Sequence, residues 1–266
     1  MSEQKLVHYE AKDGVAVITL DDPPANTYTH EMMRQLDEAI LEARFADDVS
    51  VLVLTGAGEK FFCAGASIQM LSEVTTDFKY HFCLHANETL LRLEHTPKLT
   101  IAALNGHTVG GGLEIAMACD LLVARKDAGK TGLPEVNLGV LPGTGGTQRL
   151  ARLVGKARAI DLMVSGDTFD FEKARELGIV NRILEAGSRE EFLSQIHELA
   201  RSFIPPAKAS MAVGHIKRAV QSGSLLPLEQ GLVVERELQA QLFASDDAKE
   251  GLGAYLDKRK PSFSGK

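Results

Sequence analysis

Two glutamates stand where a carboxylate is costly. Glu114 sits among Leu113, Ile115, Ala116 and Met117, and Glu135 lies in Leu133-Pro134-Glu135-Val136. A carboxylate buried in such company must be paired, reach water or serve chemistry. For either one alone, near the start of a helix, compensation of the helix dipole would be explanation enough. Both, however, adjoin glycine-rich turns. Gly110-Gly111-Gly112 precedes Glu114, and Gly143-Thr144-Gly145-Gly146 follows Glu135. Successive glycines weaken a helix start relative to alanine. They are explained either by close packing of helix on strand or by a ligand. Free N–H groups at a helix start hold negative charge, such as a phosphate or a developing oxyanion. A third stretch, Phe62-Cys63-Ala64-Gly65-Ala66-Ser67-Ile68, offers small residues after a buried strand. It suits either a tight turn or the close approach of a ligand to the backbone.

Two carboxylates can divide acid and base work, and converging N–H groups can hold an oxyanion. Enolate chemistry needs both. Glycoside hydrolysis also uses paired carboxylates, but the chain has no Trp and only four Tyr for stacking on sugar rings. The turn at 143–147 lacks the Gly-Lys-Ser/Thr ending of a nucleotide P-loop. The Gly-x-Ser-x-Gly of an esterase elbow is absent. His81 and His85 have the i, i+4 spacing of a helical metal pair, but Phe, Cys and Leu lie between them. They read as surface or core histidines, and no metal is expected.

The elements that must position these residues alternate strand and helix. Val15–Leu20 and Val49–Leu54 read as strands, the second apolar throughout as in a strand buried on both faces. Between them Met33, Leu36, Ile40 and Ala43 mark one face of a helix. A second helix is expected over Asp77–Glu94, with Phe78, Phe82, Leu90 and Leu93 inward and Pro97 beyond its end. Further strands are expected at Thr100–Leu104 and Leu121–Ala124, and helices at Leu113–Cys119 and Gln148–Val154. This rhythm predicts an α/β architecture with crossover helices. Ser188-Arg189-Glu190-Glu191 has capping-box spacing and opens a helix through Phe192, Ile196 and Leu199. After Pro205-Pro206 two or three helices follow, with no strand past Ile183. The division expected is a core over 1–199 and a helical region over 200–266, packed on the core or on a neighbour.

The composition is that of an ordinary globular protein: 266 residues, 44% hydrophobic, 24% charged, net charge −7. A chain this long buries a sizeable core without staples. It has no dense basic block of the kind nucleic-acid binders show, and no apolar run long enough for a membrane span. Cys63, Cys83 and Cys119 are scattered and fit reduced thiols. The opening segment, residues 1–14, has neither an apolar signal core nor an Arg-rich leader, so cytoplasmic residence is expected.

Taken in order, these stretches resemble the enoyl-CoA hydratase/isomerase (crotonase) superfamily. The most specific parts are Asn105–Asp120 and Pro134–Arg149, extended by Leu150-Ala151-Arg152-Leu153-Val154-Gly155. The resemblance implies a spiral core of strand-strand-helix turns, a C-terminal helical trimerisation region and a homohexamer built as a dimer of trimers. It implies an acyl-CoA substrate and no separate cofactor, since coenzyme A arrives with the substrate. Carried onto this chain, the oxyanion donors fall on the N–H groups of Ala66 and Gly111. Ala64 and the segment Ala66, Ser67, Ile68 and Gln69 would line the CoA path. Glu114 would deprotonate water for attack at C3, and Glu135 would deliver a proton to C2. Lys258, Lys260 and Phe263 resemble the region that covers the CoA adenine, in some members from a neighbouring subunit. Ser67 departs from the family's common Ala-Gly-Ala-Asp.

Holding both carboxylates favours hydration, because isomerases of the superfamily typically keep only the equivalent of Glu135. The alternatives are an enoyl-CoA isomerase, another crotonase-type reaction on a branched or cyclic acyl-CoA, or a non-enzymatic RNA-binding relative. The last uses a Lys-rich helix, whereas His30–Glu38 here is acidic.

Overall fold

The computed structural model describes residues 4–265; the reading of the first three residues as part of an opening segment without a leader lies outside it. β1 (Val7–Lys12) and β2 (Val15–Leu20) form an antiparallel hairpin. Asp13 and Gly14 turn it at φ 51° and 82°, as a tight hairpin with right-handed twist requires. β1 is a finding beyond the sequence reading: its Val-His-Tyr-Glu-Ala-Lys edge is half polar because one side faces water. α1 (His30–Phe45) follows, capped by the Thr29 side chain, which accepts from the Met32 N–H. Its buried Met33, Leu36, Ile40 and Ala43 are the face that the spacing predicts.

From β3 onward the chain winds in turns of strand, strand and helix. The first turn is β3 (Val51–Gly56), β4 (Phe61–Cys63), α2 (Ile68–Glu73) and α3 (Thr76–Glu94). The second is β5 (Leu99–Leu104), β6 (His107–Val109) and α4 (Gly111–Ala116). The third is β7 (Leu121–Arg125), β8 (Lys130–Gly132), a 3-10 turn over Glu135–Leu138, α5 (Gly146–Val154) and α6 (Lys156–Ser165). β9 (Phe169–Asp170), α7 (Phe171–Glu176) and β10 (Arg182–Leu184) close the spiral. The first strand of each turn adds to a six-stranded sheet ordered β1-β2-β3-β5-β7-β10, parallel from β2 on. The second strands form a four-stranded sheet, β4-β6-β8-β9.

The central strands are apolar on both faces because both are covered. Leu52, Leu54, Ala102 and Leu104 pack with Met33, Leu36, Leu90 and Leu113 on one side. The alternate residues Val51, Val53, Ile101 and Ala103 meet Phe192, Ile196 and Ala200 of α8 (Arg189–Arg201) on the other. Ser188 caps α8 by accepting from the Glu191 N–H at 3.1 Å. The Glu191 carboxylate reaches back to Gly187 N–H at 2.7 Å, one residue before the box partner expected.

α9 (Ser210–Gly223), α10 (Leu228–Phe243) and α11 (Asp246–Leu256) make the C-terminal helical region. Its tie to the core is the buried Lys217, whose Nζ lies 2.9 Å from Asp120 and donates to the Lys98 carbonyl at 3.1 Å. Two expectations need correction. α4 ends at Ala116 rather than Cys119, and Gly111 and Gly112 are its first residues, with only Gly110 before it as the N-cap. Phe78 is not inward but 37% exposed. The buried face of α3 starts at Phe82, and Phe78 stacks on that ring at the rim.

Candidate active site

The segments that follow β4, β6 and β8 enclose a cavity of about 350 Å³ lined by Glu114, Glu135, Ala64, Ala66, Ile68 and Gly111, with Tyr28, Phe82, Cys83, Leu141 and Thr144 among its other walls. The first wall follows β4. Tyr28 and Ala66 form a parallel bridge, in which Tyr28 donates to the Gly65 carbonyl at 2.9 Å and accepts from Ser67 N–H at 2.9 Å. The flanking residues make the bonds, so the N–H of Ala66 points away from Tyr28. Gly65, at φ +95°, brings this turn against α4: a Cβ on it would lie 3.1 Å from the Gly111 nitrogen.

Each glycine of the triplet meets a different neighbour. A side chain on Gly112 would enter the Cys63 carbonyl, and one on Gly111 would enter the Tyr28 ring and hydroxyl. Gly110 has φ +55°, and a Cβ there would lie 2.9 Å from Glu135 Oε1. The triplet is thus required by close packing within the chain. Gly111 is the first residue of α4, and no helical carbonyl can accept its N–H.

Glu114 is 2% exposed. Its Oε1 accepts from Thr144 N–H at 2.7 Å and from Gly146 N–H at 2.6 Å. Burial pushes its carboxyl up to about 7, with the nearby Glu135 adding to the rise; the two amides and Arg149 oppose it. Glu135 is also raised, by burial. Its Oε2 is buried and has no hydrogen-bond partner in the described residues. Two acids of raised affinity for protons, close enough to interact, are the signature of acid–base chemistry near neutral pH.

Three residues that the sequence does not flag complete the site. Tyr28, 2% exposed, joins its hydroxyl to Thr144 Oγ1 at 2.8 Å. Arg149 donates to the Thr144 carbonyl at 3.3 Å and pairs with Glu94 at 2.8 Å, bracing the turn that holds Glu114. Thr144 and Arg149 lie inside stretches that the sequence marks, without being singled out there, and Tyr28 lies outside them.

Not every expected residue reaches the cavity. Ser67 instead caps α2 by accepting from Met70 N–H at 3.3 Å, and Gln69 bonds to Glu73 on the same helix. Within one chain Lys258, Lys260 and Phe263 lie outside this cavity; Phe263 lines another, between the C-terminal helices, with Met211 and Phe243. A larger space of about 570 Å³ on the far side of Gly145 contains Arg149 and Glu94 but neither cavity carboxylate. His85 packs on the His30 ring at 5.2 Å, and His81 faces Asp77 at 3.8 Å. Among the described residues no three His, Cys, Asp or Glu side chains gather as a metal site would require, and no helix is long and apolar enough to cross a membrane.

Comparison with known proteins gives the same picture over the whole chain. The family model described as enoyl-CoA hydratase/isomerase matches residues 10–266. The short-chain-enoyl-CoA hydratase of Clostridium acetobutylicum is 36% identical over 252 residues, 94% of either chain. The crotonyl-CoA hydratase of Syntrophomonas wolfei is 33% identical over 258 residues, 97% of either chain. A crystal structure described as an enoyl-CoA hydratase from Geobacillus kaustophilus superposes with a TM-score of 0.92 at 44% identity, covering 100% of this chain and 98% of that one.

Proposed function

Because the chain belongs to the enoyl-CoA hydratase/isomerase family and is an enzyme of the hydratase kind, we propose that it adds water across the C2=C3 bond of a 2-enoyl-CoA through a thioester enolate. The product is a 3-hydroxyacyl-CoA. The observation that carries this reading is that Glu114 and Glu135 line one cavity with the Ala66 and Gly111 segments.

In this mechanism the pair shares one proton. Two amide donors favour the carboxylate form of Glu114, and burial of Glu135, whose Oε2 has no partner among the described residues, favours its acid form. Ionised Glu114 takes a proton from water as its oxygen bonds to C3. The C2=C3 electrons move to the thioester oxygen, where the N–H groups of Ala66 and Gly111 hold the enolate. Glu135 then gives its proton to C2, and the proton on Glu114 restores the starting state through exchange within the pair or with solvent. Ala64 and Ile68 line the path of the CoA arm, with Ser67 and Gln69 on its outer side. No metal, flavin or nicotinamide enters any step. An isomerase would move one proton on Glu135 alone and has no use for a second, amide-held carboxylate.

The C-terminal region leaves Leu225, Leu228, Phe243, Leu252, Tyr255 and Leu256 exposed, apolar side chains that a subunit interface could cover. This supports assembly as a homohexamer, a dimer of trimers, in which Lys258, Lys260 and Phe263 meet the CoA of a neighbouring subunit. Three free thiols fit the cytoplasm. Light scattering of the purified protein tests the assembly. The reaction is tested by incubation with crotonyl-CoA in ¹⁸O-water. Label at C3 of a 3-hydroxy product supports hydration, whereas double-bond migration without label supports isomerisation.

A further inference from the structure

Tyr28 touches the Ala66 turn, Gly111 and the turn that holds Glu114. Its main chain brackets Ala66, bonding to Gly65 and Ser67. Its ring lies against the Gly111 α-carbon so closely that no side chain fits there. Its hydroxyl bonds to Thr144 Oγ1, and the Thr144 N–H holds Glu114. A buried tyrosine hydroxyl needs a partner, and many partners would satisfy it. Here the partner is the residue that also holds the catalytic carboxylate. Phe82, whose ring centroid is 5.7 Å away, backs the tyrosine ring from α3.

We propose that Tyr28 is a positioning residue that fixes the two enolate-holding N–H groups and the Glu114 carboxylate relative to one another, the hydroxyl acting on Glu114 through Thr144. The proposal rests on the hydratase reading and extends it to a residue outside the glycine-rich motifs. The titratable groups facing Glu114 are Tyr28 itself, Cys83 from α3, Glu135 from the 3-10 turn and Arg149 from α5. Of these, Tyr28 and Arg149 both bond to Thr144, whose N–H holds Glu114: Tyr28 at the side-chain Oγ1 and Arg149 at the main-chain carbonyl. Buried with its ionisation pushed far upward, Tyr28 stays neutral and acts by geometry rather than charge.

The test uses Tyr28→Phe, which keeps ring and backbone, Thr144→Val, which keeps the N–H, and the double variant. Glu114 is followed by ¹³C NMR titration of carboxyl-labelled protein, independently of turnover. Loosening Thr144 weakens an N–H bond that favours the carboxylate, so the Glu114 titration is expected to move upward in Tyr28→Phe. On crotonyl-CoA, kcat is expected to fall about tenfold with KM held within about twofold. The double variant is expected to be no worse than the poorer single variant, because both remove one bond. An unmoved Glu114 titration overturns the proposal, as do multiplicative losses in the double variant or a change confined to KM. If the wild type hydrates no enoyl-CoA while the titration still moves in Tyr28→Phe, the hydratase reading falls and the positioning role stands.

Discussion

Gly110 and Glu135 are matched: the Oε1 of Glu135 lies 2.9 Å from where an ideal Cβ on Gly110 would stand, too close for a side chain there unless the carboxylate moves. The first glycine of one motif thus seats the carboxylate of the next. Gly110→Ala must both displace that carboxylate and adopt φ +55°, a strain of about 1–3 kcal/mol. We expect a modest fall in Tm and at least a tenfold fall in kcat, read by calorimetry and steady-state kinetics on the same preparation. Wild-type kcat in this variant would show that Glu135 does not need its seat.

The pH dependence follows from Glu114. Its carboxyl is pushed up to about 7, chiefly by burial, and in the proposed mechanism it acts as a base when ionised. kcat/KM should therefore fall on the acid side with an apparent midpoint near that value, well above an ordinary carboxylate. Glu114→Gln should abolish this limb in whatever activity remains.

The same burial makes Glu114 a cost to the fold. Between the ordinary carboxylate value and about 7, the folded chain binds more protons than the unfolded one, so stability falls as pH rises through that window. Glutamine keeps an oxygen for the Thr144 and Gly146 amides. Glu114→Gln is expected to be more stable than wild type by a few kcal/mol at about pH 8, with the gap closing toward about pH 4. Denaturant melts at both pH values decide it, and equal stabilities throughout would mean that the carboxylate is not penalised.

Lys217 should matter to the fold and not to the chemistry. Its side chain is 4% exposed, and it pairs with Asp120 across the junction of α9 and the core. Lys217→Met strands a largely buried Asp120, a loss of about 3–5 kcal/mol. Measured by urea denaturation at neutral pH, that loss should be accompanied by near-normal kcat in the fraction that remains folded.

The carboxylates were legible because both chemical surroundings and neighbouring glycines are local in sequence. The strands β2, β3, β5 and β7 of the six-stranded sheet were legible for the same reason, being apolar runs closed by turns, whereas the half-polar edge strand β1 and the three-residue β10 were not. The short strands β4, β6, β8 and β9 were not, since two or three residues carry no period. Phe78 misled because helical spacing says which residues share a face, not how far along the helix that face is covered. Tyr28 was invisible as a site residue. It follows a proline turn and precedes a helix, and its importance comes from a bridge to Ala66 and a bond to Thr144, both distant in the chain. The holding of Glu114 by main-chain amides has no side-chain signature at all.

The central claim is that two carboxylates in one cavity hydrate an enoyl-CoA. Loss of the conjugated enoyl-thioester absorbance of crotonyl-CoA, followed for wild type, Glu114→Gln and Glu135→Gln side by side, tests it most directly. The account predicts turnover by wild type and a fall of about a hundredfold or more in each variant, with both variants folded. Wild-type rates in either variant would contradict it.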